Sequence, residues 1–191
     1  MHEYEDIIDF VRELERLKDT TRTAWTKESR PESVAEHSWR LALFALSLED
    51  YFEDIDLNKV MRMCLVHDMG EAYEGDISAK IEENKQDKFK REEAALFRLT
   101  TALPENIRQR FLAVWREYND GETMEAKLAK ALDKMETIIQ HNQGNNPGGF
   151  DYEFNLEYGK EYAFFNPVVR TLREIIDQET RSKVKSSGDE R

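Results

Sequence analysis

The stretch "LVHDMGEAYEGD", residues 65–76, decides how this chain is read. From about Leu57 apolar residues recur at helical spacing, and Val60, Cys64, His67 and Glu71 form one line with Asp68 beside it. The pattern predicts a helix from about Leu57 to about Tyr73, with Gly75 as its C-terminal stop. Within two turns its inward face becomes ionic, collecting His67, Asp68, Glu71 and then Asp76. Burying unpaired charge is expensive, so these groups need partners. A solvent-facing helix end with an i,i+4 His67–Glu71 pair would account for Glu71, but not for His67 and Asp68 beside an apolar line.

Two further segments point ionisable groups inward. "SVAE", residues 33–36, is a capping box with Ser33 as N-cap and Glu36 reaching back. The helix it opens, to about Phe52, carries the line Val34, His37, Leu41, Phe44, Leu48, of which His37 is the single polar member. Alone, His37 reads as a core histidine bonded to a carbonyl. In "TMEAKLAKALDKMETIIQHN", residues 123–142, Ala126, Ala129, Asp133, Thr137 and Gln140 make a narrow uncharged line that Asp133 interrupts. Alone, Asp133 reads as a surface acid paired with Lys130 or Lys134.

Together, two imidazoles and two carboxylates from three helices suit a divalent cation, whose charge offsets the desolvation of the acids. The candidate ligands are His37, His67, Asp68 and Asp133. A donor set of N and O without thiolate argues for Mn²⁺, Co²⁺, Fe²⁺, Ni²⁺ or Zn²⁺ over a Cys-type structural zinc site and does not choose among them; Mn²⁺ or Co²⁺ is the expectation, with Mg²⁺ also open. Cys64, the lone cysteine, reads as packing.

The rest of the chain fits one soluble all-α domain, a globular packing of about six to eight helices over residues 1–181 with a polar, disordered tail at 182–191. Helices are expected at about 4–18, 34–52, 57–73, 86–102, 104–119 and 123–142, and from Pro167 to near Thr180. "DTTRTAWTKESRP" and "QGNNPGGFDYEFN" read as loops, and no alternating strand pattern is visible. With 191 residues, 39% of them hydrophobic, a real core is available. The net charge of −12, from 40 acidic and 28 basic residues without a basic block, argues against nucleic acid and anionic membranes as partners. No secretory start or membrane-length apolar run is present, and a single cysteine fits a cytoplasmic setting.

On these residues the sequence resembles the HD-domain metal-dependent phosphohydrolases: His37, then the His67-Asp68 doublet 67 − 37 = 30 residues later, then distant Asp133. "RPESVAEHS", "LVHDMGEAYEGDI" and "KALDKMETI" are similar, in order, to the three signature segments of the 5′-deoxynucleotidase branch, covering most of residues 5–142. The resemblance implies His37, His67, Asp68 and Asp133 as metal ligands. It implies Glu71 as the group that activates water, while some relatives carry further metals at the equivalents of Glu71 and Asp76; should Glu71 not be the base, Asp76 is the next candidate. It places Asp76 and Ile77 against the sugar and Trp25 against the nucleotide, and it implies a nucleotide substrate and a homodimer. Residues 143–191 add little to it.

Two features depart from the family pattern. Ala24 stands where one branch has an arginine that orients phosphate, so Arg22, then Arg30, with Lys27 nearby, become the basic candidates. The stretch between Trp25 and His37 is about two residues shorter than the motif spacing of relatives. Two other readings stay open: an HD phosphohydrolase cleaving a cyclic dinucleotide or guanosine polyphosphate, and a non-catalytic metal-stabilised module that binds a partner through residues 150–165.

Overall fold

Four of the long helices start where the sequence supplies a capping side chain. In the computed structural model, which describes residues 2–77 and 84–188, Ser33 caps α3 (Val34–Leu46), Asp56 caps α4 (Leu57–Val66) and Thr123 caps α7 (Met124–Gln143). Their side-chain oxygens accept the N–H groups of Glu36, Lys59 and Ala126, donors the helix itself leaves unused. Asn84 does the same for α5 (Lys85–Leu99). Helix α6 (Glu105–Asp120) ends at Gly121, whose φ of 67° suits the left-handed C-cap. Pro104 lies just outside α6 as its N-cap, rather than within its first turn.

Helix α4 packs between α3 and α7, α6 closes over α4 and α7, and α9 (Pro167–Gly188) lies along α7. One buried cluster joins α3, α4 and α7 through Leu41, Val60, Met63, Leu128, Leu132 and Met135. A second, around Leu96, Leu99, Leu112 and Trp115, joins α5 and α6 to the N-terminal segment through Phe10 and Leu17. The expected all-α architecture is the observed one. No helix of the described residues is long and apolar enough to cross a membrane.

Several boundaries differ from the sequence reading. The first helix breaks into α1 (His2–Glu13) and α2 (Arg16–Asp19). The second ends at Leu46, with a separate 3₁₀ turn at Glu49–Tyr51. The segment expected to be loop before α3 is a two-stranded antiparallel hairpin, β1 (Thr21–Trp25) and β2 (Pro31–Ser33), pairing Thr21 with Ser33 and Trp25 with Pro31. Within the second expected loop and after it lie α8 (Glu153–Glu157) and a 3₁₀ turn at Lys160–Ala163. Helix α9 continues to Gly188 and does not end near Thr180, because Thr180 is buried and bonded to Asn142 on α7. Residues 189–191 of the expected tail lie outside the described residues.

The difference that matters most for the site is at the opening stretch. The α-helix stops at Val66, and Met69–Glu71 form a 3₁₀ turn. In a continuing helix the His67 carbonyl would accept the Glu71 N–H. Here the buried Trp115 indole donates to that carbonyl (3.0 Å), and the Glu71 N–H turns to the Asp68 carbonyl (3.0 Å). Gly70 allows the turn to lie against α5, since a Cβ there would come within 2.7 Å of Glu92 Cβ and 2.8 Å of its carbonyl oxygen.

Candidate metal centre

Ligand-type atoms of His37, His67 and Asp133 form a group that could hold a metal ion where α3, the end of α4 and α7 meet, and Asp68 Oδ2 lies beside both imidazoles. His37 Nε2 lies 3.4 Å from His67 Nε2, 3.2 Å from Asp133 Oδ1 and 3.7 Å from Asp68 Oδ2. His67 Nε2 lies 3.0 Å from Asp68 Oδ2 and 3.7 Å from Asp133 Oδ1. A cation with bonds of about 2.1 Å holds adjacent ligand atoms about 3.0–3.4 Å apart, which is close to this spacing. Both histidines and Asp133 are buried.

The hydrogen bonds behind these atoms leave the right electron pairs facing inward. His67 Nδ1 donates to the Cys64 carbonyl (2.9 Å), and His37 Nδ1 donates to Glu136 Oε2. Each Nε2 is therefore turned inward, toward the other ring and the carboxylates, and in the neutral ring it carries the lone pair. Asp133 Oδ2 accepts from Tyr118 Oη and Lys134 Nζ, both at 2.8 Å, which leaves Oδ1 for the cluster. Two such nitrogens beside carboxylates draw positive charge into the space between them, as protons or as a cation. The donor set fits a divalent cation.

The carboxylates also draw protons toward the imidazoles. Burial opposes charge on His67, but Asp68 and Asp133 outweigh it and push its pKa up to about 10. His37 is raised as well: burial and Arg22 disfavour its charge, while Glu136 and Asp133 favour it. Asp68 and Asp133 are held below the ordinary carboxylate range despite burial, Asp68 by His67 and His37, Asp133 by Lys134 and the two imidazoles.

Beside the cluster lies a cavity of about 420 Å³, within the usual range for small-molecule sites. Glu71 lines it, buried, and its Oε2 has no hydrogen-bond partner among the described residues. Burial, with Asp68 and Asp76 nearby, raises its pKa well above the usual value. Asp76, Ile77 and Trp25 line the same cavity, together with Asp68 and Asp133 of the cluster.

Of the three basic candidates, one is placed there. Arg22 on β1 lines the cavity and donates to Asp68 Oδ2 (3.2 Å) and Thr137 Oγ1 (2.8 Å). Burial disfavours its charge, but Asp68 and Glu136 more than compensate, so its pKa is raised. Arg30 is exposed and paired with Glu36, and exposed Lys27 does not line the cavity. Reading the sequence missed two other lining cations, Lys88 and Lys134. It also missed Glu32, Arg40 and Glu136, which lie behind His37, and the wall formed by Phe150, Phe154 and Tyr158. Lys134 and Glu136 did carry a signal, since they flank Asp133 on the same helix. The wall is tied down from α9: buried Arg173 donates to the carbonyls of Asn155, Leu156 and Tyr158 at 2.9, 3.1 and 2.8 Å.

The HD domain family model matches residues 14–173. The 5′-deoxynucleotidase HDDC2 of Bos taurus is 31% identical over 97% of this chain and 91% of its own length, and that of Xenopus laevis is 33% identical over 93% and 89%. Among solved structures, a predicted metal-dependent phosphohydrolase from Magnetospirillum magnetotacticum is 30% identical, covers 98% of this chain and 93% of its own, and superposes with a TM-score of 0.70. The chain belongs to the HD domain family.

Proposed function

We propose that this chain is a divalent-metal-dependent phosphomonoesterase that removes the 5′-phosphate from deoxynucleoside monophosphates. The observation that carries the reading is the pair of inward-facing Nε2 atoms, flanked by Asp68 and Asp133, beside a cavity lined by buried Glu71 and three cations. The relatives named 5′-deoxynucleotidase support the choice of substrate.

In this reading His37, His67, Asp68 and Asp133 hold the cation. When bound, Mn²⁺ or Co²⁺ supplies Lewis acidity, lowering the pKa of a water and offsetting phosphoryl charge. Glu71 Oε2 accepts the proton that the attacking water loses. Arg22, Lys88 and Lys134 face the dianionic phosphate, offsetting the cavity's carboxylates and the overall charge of −12. Asp76 and Ile77 lie against the sugar, and Trp25 packs on the nucleotide.

The chain works as a cytoplasmic homodimer in this proposal. Exposed Trp39, Leu43 and Leu46, at i, i+4 and i+7 on α3, supply an apolar stripe for a second copy, and the lone, buried, free Cys64 suits a reducing compartment. The deciding experiment is a phosphate-release panel of deoxy- and ribonucleoside monophosphates against Mn²⁺, Co²⁺, Mg²⁺ and Zn²⁺. Faster release from deoxynucleotides is expected with Mn²⁺ or Co²⁺. No release from any monophosphate with any metal overturns the reading.

A further inference from the structure

The two histidines of the cluster are held from behind in different ways. His67 Nδ1 meets a backbone carbonyl, that of Cys64, as a core histidine commonly would. His37 Nδ1 meets a carboxylate, Glu136 Oε2, on a residue that is 1% exposed. The second oxygen of that carboxylate, Oε1, accepts from the Arg40 guanidinium, one turn beyond His37 on α3. Arg40 also lies 3.7 Å from Glu32 Oε1, and Glu32 Oε2 lies 3.4 Å from Arg22 Nε. Two carboxylates and two guanidiniums thus alternate behind one imidazole, and Glu136 has each oxygen committed to a different partner.

Glu32, His37 and Glu136 also form a grouping that could by itself hold a cation. Arg22 and Arg40 already supply the positive charge on that side of the ring, so a second metal there would face two guanidiniums. A simpler arrangement would serve packing alone, because a neutral histidine needs only a carbonyl acceptor. A carboxylate does more. It fixes the proton on Nδ1, fixes the ring plane, and makes the opposite nitrogen a better electron donor.

We infer that Glu136, held by Arg40, is a positioning residue that orients His37 and strengthens its Nε2 as a ligand to the divalent cation. The inference rests on the proposed metal-holding role of the cluster. It concerns a residue on the far side of the imidazole from the cavity, which contacts neither cation nor substrate.

The test is calorimetric titration of the metal-stripped full chain with Mn²⁺ and with Co²⁺, together with the Co²⁺ visible absorption spectrum. The parent chain is compared with Glu136→Gln, Glu136→Ala and Arg40→Met. Glu136→Ala is expected to weaken binding on the order of 10–100-fold and to change the Co²⁺ spectrum. Glu136→Gln retains an acceptor for Nδ1–H without the charge, so a smaller loss is expected, and Arg40→Met should also weaken binding. If Glu136→Ala fails to fold, Glu136→Gln and Arg40→Met decide. Unchanged affinity and spectrum in the folded variants, with only the metal-free melting temperature altered, would mean that the ion pair serves packing and would overturn the inference. A parent chain that binds neither metal would overturn the proposed site as well, which separates the two failures.

Discussion

The Trp25 carbonyl rests directly on Gly144, occupying space that a Cβ at position 144 would need. Gln140 Nε2 donates to the same carbonyl (2.5 Å), and the Asn145 N–H donates to the carbonyl of Thr26 (3.0 Å). The β1–β2 hairpin is therefore seated on the C-terminal end of α7, and with it the Trp25 side chain at the cavity wall. Gly144 has φ of −71°, which any residue adopts, so the demand for glycine is purely steric. Gly144→Ala should lift the hairpin, cost about 1–3 kcal/mol as an overpacked contact, and raise KM for nucleotide more than it lowers kcat. Thermal unfolding and steady-state kinetics check this; an unchanged KM would show that the seat does not position Trp25.

Removing a proposed ligand should separate metal from fold. His67→Ala or Asp68→Ala is expected to abolish stoichiometric Mn²⁺ or Co²⁺ by elemental analysis while leaving most of the helical circular dichroism, because both residues lie at a helix end and not in the apolar clusters. Full metal occupancy in both variants would contradict the ligand assignment.

Glu71→Gln keeps shape and polarity but removes the basic oxygen. Single-turnover rates should fall on the order of 10²–10⁴ with metal content unchanged. Burial and the neighbouring Asp68 and Asp76 raise the Glu71 pKa, so the protonated, inactive form persists to higher pH than for an ordinary glutamate. The acid limb of the parent's pH–rate profile should be lost in the variant. Metal loss in Glu71→Gln would make Glu71 a ligand instead of a base.

Charge at the phosphate should reside with Arg22, Lys88 and Lys134, not with Arg30 or Lys27. Arg22→Met and Lys134→Met are each expected to lower kcat/KM about 10–100-fold, since a charge-assisted hydrogen bond contributes about 1.5–3 kcal/mol. Arg30→Met and Lys27→Met should leave kcat/KM within about twofold. A larger loss from Arg30→Met than from Arg22→Met would reverse the assignment.

Glu36 predicts an acid dependence of stability unrelated to the metal. The Arg30 guanidinium and the Ser33 cap hold its pKa at about 2, against 4.5 for a free glutamate, while burial pulls the other way. A depressed folded pKa stabilises above the unfolded value and is lost as pH falls, here between about pH 4.5 and about pH 2. The pair is solvent-screened, so the effect is modest. Urea unfolding should show Glu36→Gln less stable than the parent at pH 6, with the difference closing toward pH 2. A gap independent of pH would contradict it.

Much of the architecture follows from local chemistry. The capping side chains of Ser33 and the stop at Gly121 act on their own backbone neighbours, and the inward line Val34, His37, Leu41 needs only the helical period. The proposed ligands His37, His67, Asp68 and Asp133 are visible for the same reason, as ionisable groups on or beside the inward lines of amphipathic helices. The hairpin escapes that logic: it has no alternating pattern, and its place is set by Gly144 and Gln140, far away in sequence. The aromatic wall escapes it too, because Arg173 on α9 holds residues 155–158 through backbone carbonyls that carry no sequence signal.

That helices α3, α4 and α7 form, each turning ionisable groups inward, follows from the order of residues alone, because periodicity and capping are short-range. How those groups are arranged depends on contacts between helices. The Trp115 indole takes the His67 carbonyl and ends α4, so Glu71 reaches the cavity from a 3₁₀ turn and not from the helix face that spacing alone implies. Tyr118 and Lys134 occupy one oxygen of Asp133 and leave the other for the cluster. Glu136 fixes which nitrogen of His37 faces it. A hydrogen bond between helices depends on their packing, and packing depends on the whole chain.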